Sequence, residues 1–370
     1  ERVVGDGERA GEAAREVARA HALAYRRVRE AIAETEAERR AAGIESERLE
    51  SRILEAYPFH PALLDLMFHR WGSLPSYQRT RGALQFLAQV VRALGREGSA
   101  PQALIGPGDV DLGDEGVRGA FFSQVGERER YWSVVDADVA GDGARARDVD
   151  RRLGSESPRL ERLRIGTRAA TTVMLYSFGA REGEERGAIE GDLVQALLGP
   201  EVDRNVIVTA LHDLRDELLY LHYTGRRYRF EPRANLNLLI AEEAKKLEAE
   251  DVLATIRREL DRLLSGHAER VVLWPSGPAA VADRDPWFRV VYLGPPASGQ
   301  PDDHEAAFAE RLLADRGAGR REYRNGLAFA LPSRVGMERA RSSARALMAI
   351  ETVQGDVKRS IIKLEKEQLD

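Results

Sequence analysis

A change of apolar period near residue 218 restricts the fold of this chain more than any other feature. From Asn205 to Leu218, the residues Val208, Leu211, Leu214 and Leu218 recur at helical spacing, and then "LYLHYTGRRYRF" alternates around Thr224-Gly225. The first pattern demands a helix buried along one stripe. The second demands strands with one buried face, and the Thr-Gly step folds them into a hairpin. Upstream, "TRAATTVMLYSF" reads as a buried helix and Ile189–Leu198 as another. Three helices followed by a hairpin is the order of a winged-helix module, expected over 166–233.

The chain has 370 residues, too many for one ordinary core, so several domains are expected, mainly α-helical. Residues 1–94 read as a helical domain. One long amphipathic helix is predicted from Arg9 to about Ala41 and a second over Ser46–Ala56, stopped by Tyr57-Pro58. A short helix over Pro61–Trp71 and another from about Thr80 to Leu94 follow. Residues 95–165, rich in Gly, Asp and Arg, read as a connector with short helices near Glu115–Val125 and Tyr131–Ala137. A long linking helix is predicted over Asn235–Ser265, within 234–266. The runs "ERVVLWP", "WFRVVYLGP" and "RNGLAFALP", with helical patterns at His304–Asp315 and Arg334–Glu351, predict a small α/β domain over 267–352. A charged helical tail is expected over 353–370.

Composition removes several function classes. Lys and Arg number 56 against 61 Asp and Glu, a net charge of −5, so any polyanion site must be a local patch. Cysteine is absent, which excludes disulfides, thiolate nucleophiles and Cys-based metal sites and fits a cytoplasmic address. No apolar run approaches the roughly 20 residues needed to span a bilayer, so no membrane partner is expected. The chain enters an amphipathic pattern almost directly from Glu1, as expected of a piece of a longer protein.

No catalytic residue and no metal ligand emerges. A phosphate-binding loop needs Gly-Lys-Ser/Thr, and none of Lys245, Lys246, Lys358, Lys363 and Lys366 follows a glycine. The segment Gly106–Gly113 reads as an irregular acidic turn. His60 and His69 do not share a helix face and read as capping or packing residues. Arg215 and His222 match a loose ribonuclease spacing, but His222 falls in the hairpin.

Two arginine groups stand out instead. Arg79 and Arg81 flank the start of an apolar helix, where the helix dipole favours anions over cations. Either one arginine pairs with Asp65 or another carboxylate, or the two are presented to an anionic ligand such as a nucleotide phosphate. Arg226, Arg227 and Arg229 form a basic stripe interleaved with Tyr223, Tyr228 and Phe230, suited to a nucleic-acid backbone. Asp213, Asp216 and Glu217 on the preceding helix would repel phosphates, which leaves protein docking or a purely structural hairpin open.

The strings "YPFHPALLDLMFHRWGSLPSYQRTRGALQFLAQVV", "LRIGTRAATTVMLYSFG", "LRDELLYLHYTGRRYRFEPRANLNLLI" and "YRNGLAFALP" together resemble a family of large prokaryotic AAA+-like ATPases. That family was long catalogued as a domain of unknown function, number four hundred and ninety-nine, and includes the PglY/BrxC-type ATPases of phage-defence islands. The resemblance implies a helical AAA+ lid-like bundle, then the winged helix, then the small α/β domain. It implies that Arg79 and Arg81 fall where a lid arginine would approach the γ-phosphate, without fixing which does. It further implies ATP and Mg in the parent protein and no cofactor in this chain. The implied partners are the N-terminal ATPase core of the same protein, DNA, defence-system proteins such as a DNA methyltransferase, and a second copy of the chain. The chain is then a non-catalytic, nucleotide-sensing and docking portion of an ATPase. The alternatives are a stand-alone winged-helix DNA-binding regulator and a pure assembly module.

Overall fold

Thr35 decides where the N-terminal helical sequence divides. Its hydroxyl accepts from Glu38 N at 3.2 Å, while the Glu38 carboxylate accepts from Thr35 N at 3.0 Å. This reciprocal cap ends one helix and starts the next, so the single helix expected to Ala41 is two: α1 (Gly7–Ile32) and α2 (Glu36–Ala56). They form an antiparallel hairpin closed by small residues, Ala14, Ala18 and Ala22 facing Ala42, Leu49 and Ile53, with Ser46 Oγ donating to Ala22 O at 2.8 Å. Thr35→Ala is expected to lower the unfolding free energy by about 1 kcal/mol. Urea unfolding of the two proteins side by side checks this, and equal midpoints would show that the cap does not set the break.

The computed structural model describes residues 7–96, 103–285, 287–295 and 304–358. The chain is mainly α-helical with two small three-stranded sheets, and two compact units divide it between Leu238 and Leu239. Among the described residues no helix is long and apolar enough to cross a membrane.

In the first unit, α3 (Pro61–Asp65) is capped by His60, whose Nδ1 accepts from Ala62 N at 3.0 Å. Burial pushes the His60 pKa down to about 3, so the ring stays neutral and its nitrogen stays an acceptor. The helix runs on through a π turn (Leu66–Arg70) into a short 3-10 turn. Leu63, Leu66, Met67, Arg70 and Trp71 are all buried there. The Trp71 ring meets Phe86 and Phe121, and its Nε1 donates to Leu175 O at 3.1 Å. Next comes α4 (Arg79–Arg96), which buries Gly82, Phe86, Val90 and Ala93 along one stripe.

The stretch expected as a connector over 95–165 supplies core. Its described part holds α5 (Glu115–Val125), α6 (Arg128–Val134), a π turn (Val135–Val139), α7 (Ala146–Glu156) and α8 (Pro158–Leu163). Phe121, Phe122, Tyr131, Val134 and Val149 join the cluster that contains Trp71 and Phe86. The buried carboxylate of Asp138 accepts from the amides of Leu219 and Tyr220 at 3.1 and 2.6 Å, fixing the approach to the hairpin.

The remainder of this unit is α9 (Ile165–Tyr176), β1 (Ala188–Ile189), α10 (Glu190–Leu197), α11 (Arg204–Glu217), β2 (Leu221–Tyr223) and β3 (Arg227–Phe230). Every residue of α9 except Thr167 is buried. The strands pair antiparallel in the order β1-β3-β2, with Ala188 opposite Tyr228 and Leu221 opposite Phe230. Tyr228 and Phe230 turn into the core.

In the second unit, the long helix expected over Asn235–Ser265 is broken into α12 (Leu236–Lys245) and α13 (Ala249–Leu264). Leu247, just outside the Glu248 cap, packs with the Val252 cluster. This hydrophobic staple bends the chain into α13. Strands β4 (Val271–Leu273), β5 (Arg289–Tyr292) and β6 (Leu327–Ala330) form a parallel sheet in sequence order. Helix α14 (His304–Ala314) connects β5 to β6, and α15 (Arg334–Lys358) packs Ala344 with Val252 and Ile256 of α13. Residues 359–370 of the expected charged tail lie outside the described residues.

Candidate functional site

The start of α4 is tied to a single residue of α5, Gln124. Ser76 Oγ donates to Gln124 O at 2.8 Å, and Gln78 N donates to Gln124 Oε1 at 3.4 Å. Gln124 is buried at the end of α5, and a Cβ on Gly82 would lie 1.9 Å from its Oε1, so a larger residue there would have to displace the Gln124 amide that accepts from Gln78 N. This clamp leaves Arg79, Thr80 and Arg81 exposed on the first turn. Arg79 has φ +50, a left-handed backbone that costs a non-glycine residue about 1 kcal/mol or more. Among the described residues neither the Arg79 nor the Arg81 side chain has an ion-pair or hydrogen-bond partner. Asp65, the acceptor considered from sequence, is taken by Arg52 at 2.7 Å instead.

The hairpin arginines divide differently. Arg226 is exposed at the turn. Arg227 is only 15% exposed, and its guanidinium donates to Gly187 O at 3.1 Å and lies 3.6 Å from Glu184. Arg229 pairs with Glu231, which Arg233 also holds at 2.9 Å. The alternation does place Arg227 and Arg229 opposite the buried rings, but on the face they share Arg227 is engaged by Glu184 and Gly187 and the half-buried Arg229 by Glu231. The acidic side of α11 is partly neutralised too: Arg152 pairs with Asp213 at 2.9 Å and with Glu217, and Arg215 with Asp216 at 3.1 Å. His222 Nε2 contacts Arg233 O at 2.9 Å, which gives this ring a structural partner.

Sequence reasoning missed Arg70. It is 1% exposed and donates to Gly187 O at 3.0 Å, Glu184 at 3.2 Å and Asp192 at 3.3 Å, with the Tyr176 ring 4.9 Å below. Burial pulls its pKa down, Asp192 and Glu184 push it back, and a guanidinium remains charged regardless. Arg70 and Arg227 therefore share two acceptors, Gly187 O and Glu184, and join the α3 segment to the hairpin. The available signal was an arginine placed directly before Trp71 in the largely apolar stretch Leu63–Trp71.

Among the described residues no three His, Asp or Glu side chains converge to hold a metal ion. A family model described as the DUF499 second domain matches residues 15–229. No curated protein and no solved structure matches the chain.

Proposed function

The chain belongs to the DUF499 family, and from that premise we propose that it is the nucleotide-sensing and docking portion of an AAA+-type ATPase linked to DNA modification and phage defence. In this reading the helices up to α4 are the lid, and Arg79 or Arg81 reaches the nucleotide's terminal phosphate. One observation carries it: two exposed arginines without hydrogen-bond or ion-pair partners stand on a first turn that is tied to Gln124, one of them on strained backbone. Preorganised cations of this kind act where negative charge develops during phosphoryl transfer. At this site the chain supplies cations for the terminal phosphate, while the sequence offers no Gly-Lys-Ser/Thr loop and the described residues no cluster of metal-ligating side chains. The remainder of the nucleotide and its Mg ion belong to the N-terminal core of the parent.

The segment from α9 to β3 is the winged helix of this proposal, supported by its helix–strand–helix–helix–strand–strand order and the β1-β3-β2 sheet. Its hairpin docks DNA or a defence-system protein, and Arg226 is the hairpin arginine free to make that contact.

The test uses the full-length ATPase. Arg79→Ala and Arg81→Ala, singly and together, are expected to lower ATP hydrolysis by about tenfold or more with the fold unchanged. Turnover equal to wild type in both single variants and in the double variant refutes the sensing role.

A further inference from the structure

A second cluster of arginines lies far from Arg79. A cavity of about 70 Å³ in the first unit is lined by Arg147, Arg162, Arg164 and Arg168, with Asp109 and Asp111 the only carboxylates among its lining residues. Its volume exceeds what one or two waters need and is too small for a nucleobase and sugar. Arg168 is 8% exposed; its Nε and Nη2 bond Asp109 at 3.1 and 3.4 Å, while Nη1 is buried and makes no hydrogen bond. Arg147 reaches only backbone carbonyls, at 3.4 and 3.5 Å, and Asp142 at 3.9 Å. Arg162 and Arg164 are exposed, and among the described residues neither side chain makes a hydrogen bond or ion pair, although Arg164 lies near enough to Asp150 to favour its carboxylate. Arg164 also sits on left-handed backbone, with φ +45, between α8 and α9. A buried guanidinium with a donor that no protein atom satisfies, beside two exposed arginines and one bound only weakly, makes a cationic pocket suited to an anion.

We propose that this cavity binds a phosphoryl group, through Arg162, Arg164 and Arg168, as inorganic phosphate or as the terminal phosphate of a nucleoside diphosphate. The class follows from the donors: guanidinium forks match the oxygens of a tetrahedral dianion, and the cavity admits little else. The site is separate from the one proposed at Arg79 and Arg81. Leu94, which lines the cavity, lies fifteen residues along α4 from Arg79, roughly 22 Å at the helical rise, too far for one nucleotide to bridge with its phosphates alone.

Thermal unfolding and ³¹P NMR of the chain, with sodium phosphate, ADP or sodium chloride at matched ionic strength, test the proposal. Arg162→Ala/Arg164→Gly removes two charges and leaves the fold intact, because both side chains are exposed and glycine suits the left-handed backbone at 164. The expected result is a rise in Tm of roughly 5 °C at saturating phosphate, with broadening of the phosphorus line, both lost in the double variant. An effect of ADP without one of inorganic phosphate, lost in the same variant, supports the site and identifies the diphosphate as its source. Retention of either effect in Arg79→Ala/Arg81→Ala is expected, which keeps this outcome independent of the sensing role. The proposal is overturned if neither probe shifts the wild-type protein beyond chloride, or if the shift survives in Arg162→Ala/Arg164→Gly.

Discussion

Gly179→Ala is expected to destabilise the first unit by about 3 kcal/mol, a large part of the roughly 5–15 kcal/mol that holds a typical domain folded. Two costs combine. Gly179 has φ +67, a conformation worth about 1 kcal/mol or more against any residue with a Cβ. The added Cβ would also lie 2.2 Å from Arg70 O and 2.7 Å from the carbonyl carbon. Those are backbone atoms of a buried helical turn, so relief requires moving the segment that carries Trp71, and overpacking of that kind costs about 1–3 kcal/mol. Gly183 separates the two contributions, since it has φ +76 but open space for 4 Å around the point where a Cβ would stand. Gly183→Ala should therefore cost only the conformational part, about 1 kcal/mol. Urea unfolding of both variants checks the contrast. Equal and small losses at the two positions would show that the approach of Gly179 to Arg70 is not part of the fold.

Removal of the Arg70 guanidinium carries a comparable penalty. Arg70→Ala strands Asp192 without its buried cation, leaves Glu184 only Arg227 and Arg181 at 3.6 and 3.8 Å, and opens a hole beside Tyr176. Breaking a buried ion pair costs about 3–5 kcal/mol, and the lower end applies because Glu184 and Asp192 are 31% and 25% exposed and can turn to water. The pairing with Arg227 makes a sharper test. Both arginines donate to Gly187 O and approach Glu184, so Arg70→Ala and Arg227→Ala should be non-additive by about 0.5 kcal/mol or more. Strictly additive losses in the double variant would separate the two arginines and dissolve the proposed link between α3 and the hairpin.

Local pattern carried the elements that local pattern determines. α4 and α11 follow from apolar stripes, α9 from a run apolar enough to be buried all round, and the hairpin from alternation around Thr224-Gly225. The break at Thr35 was also written locally, as Thr-Glu-Ala-Glu, but Ala-rich helical periodicity on both sides concealed it. The staple of Leu247 at the start of α13 was concealed in the same way. Strand β1 escapes because two residues carry no period, and Ala188-Ile189 becomes a strand only by pairing with β3. The occupants of the Arg227 face, Glu184 and Gly187, arrive from some 40 residues upstream, a distance no window spans. The position of Arg79 and Arg81 at the start of α4 was legible because the apolar stripe that follows sets where the helix begins. The arginine cavity was not, because α4, the 108–112 turn, the segment from Ala140 to Arg147 and the start of α9 converge on it only in three dimensions.

The hydrogen bond from Trp71 to Leu175 also sets an order of events during synthesis. Its partners are 104 residues apart, and the bonds from Arg70 to Gly187 span 117. At about 5–20 residues per second, a ribosome needs roughly 5–20 s to deliver Leu175 after Trp71 has been made. For that interval Leu63, Leu66, Met67 and Trp71 have no α9 to cover them, while the α1–α2 hairpin, built from neighbouring sequence, can already close. The nascent chain thus presents an apolar turn for seconds, and that turn is where a co-translational chaperone would be expected to engage it.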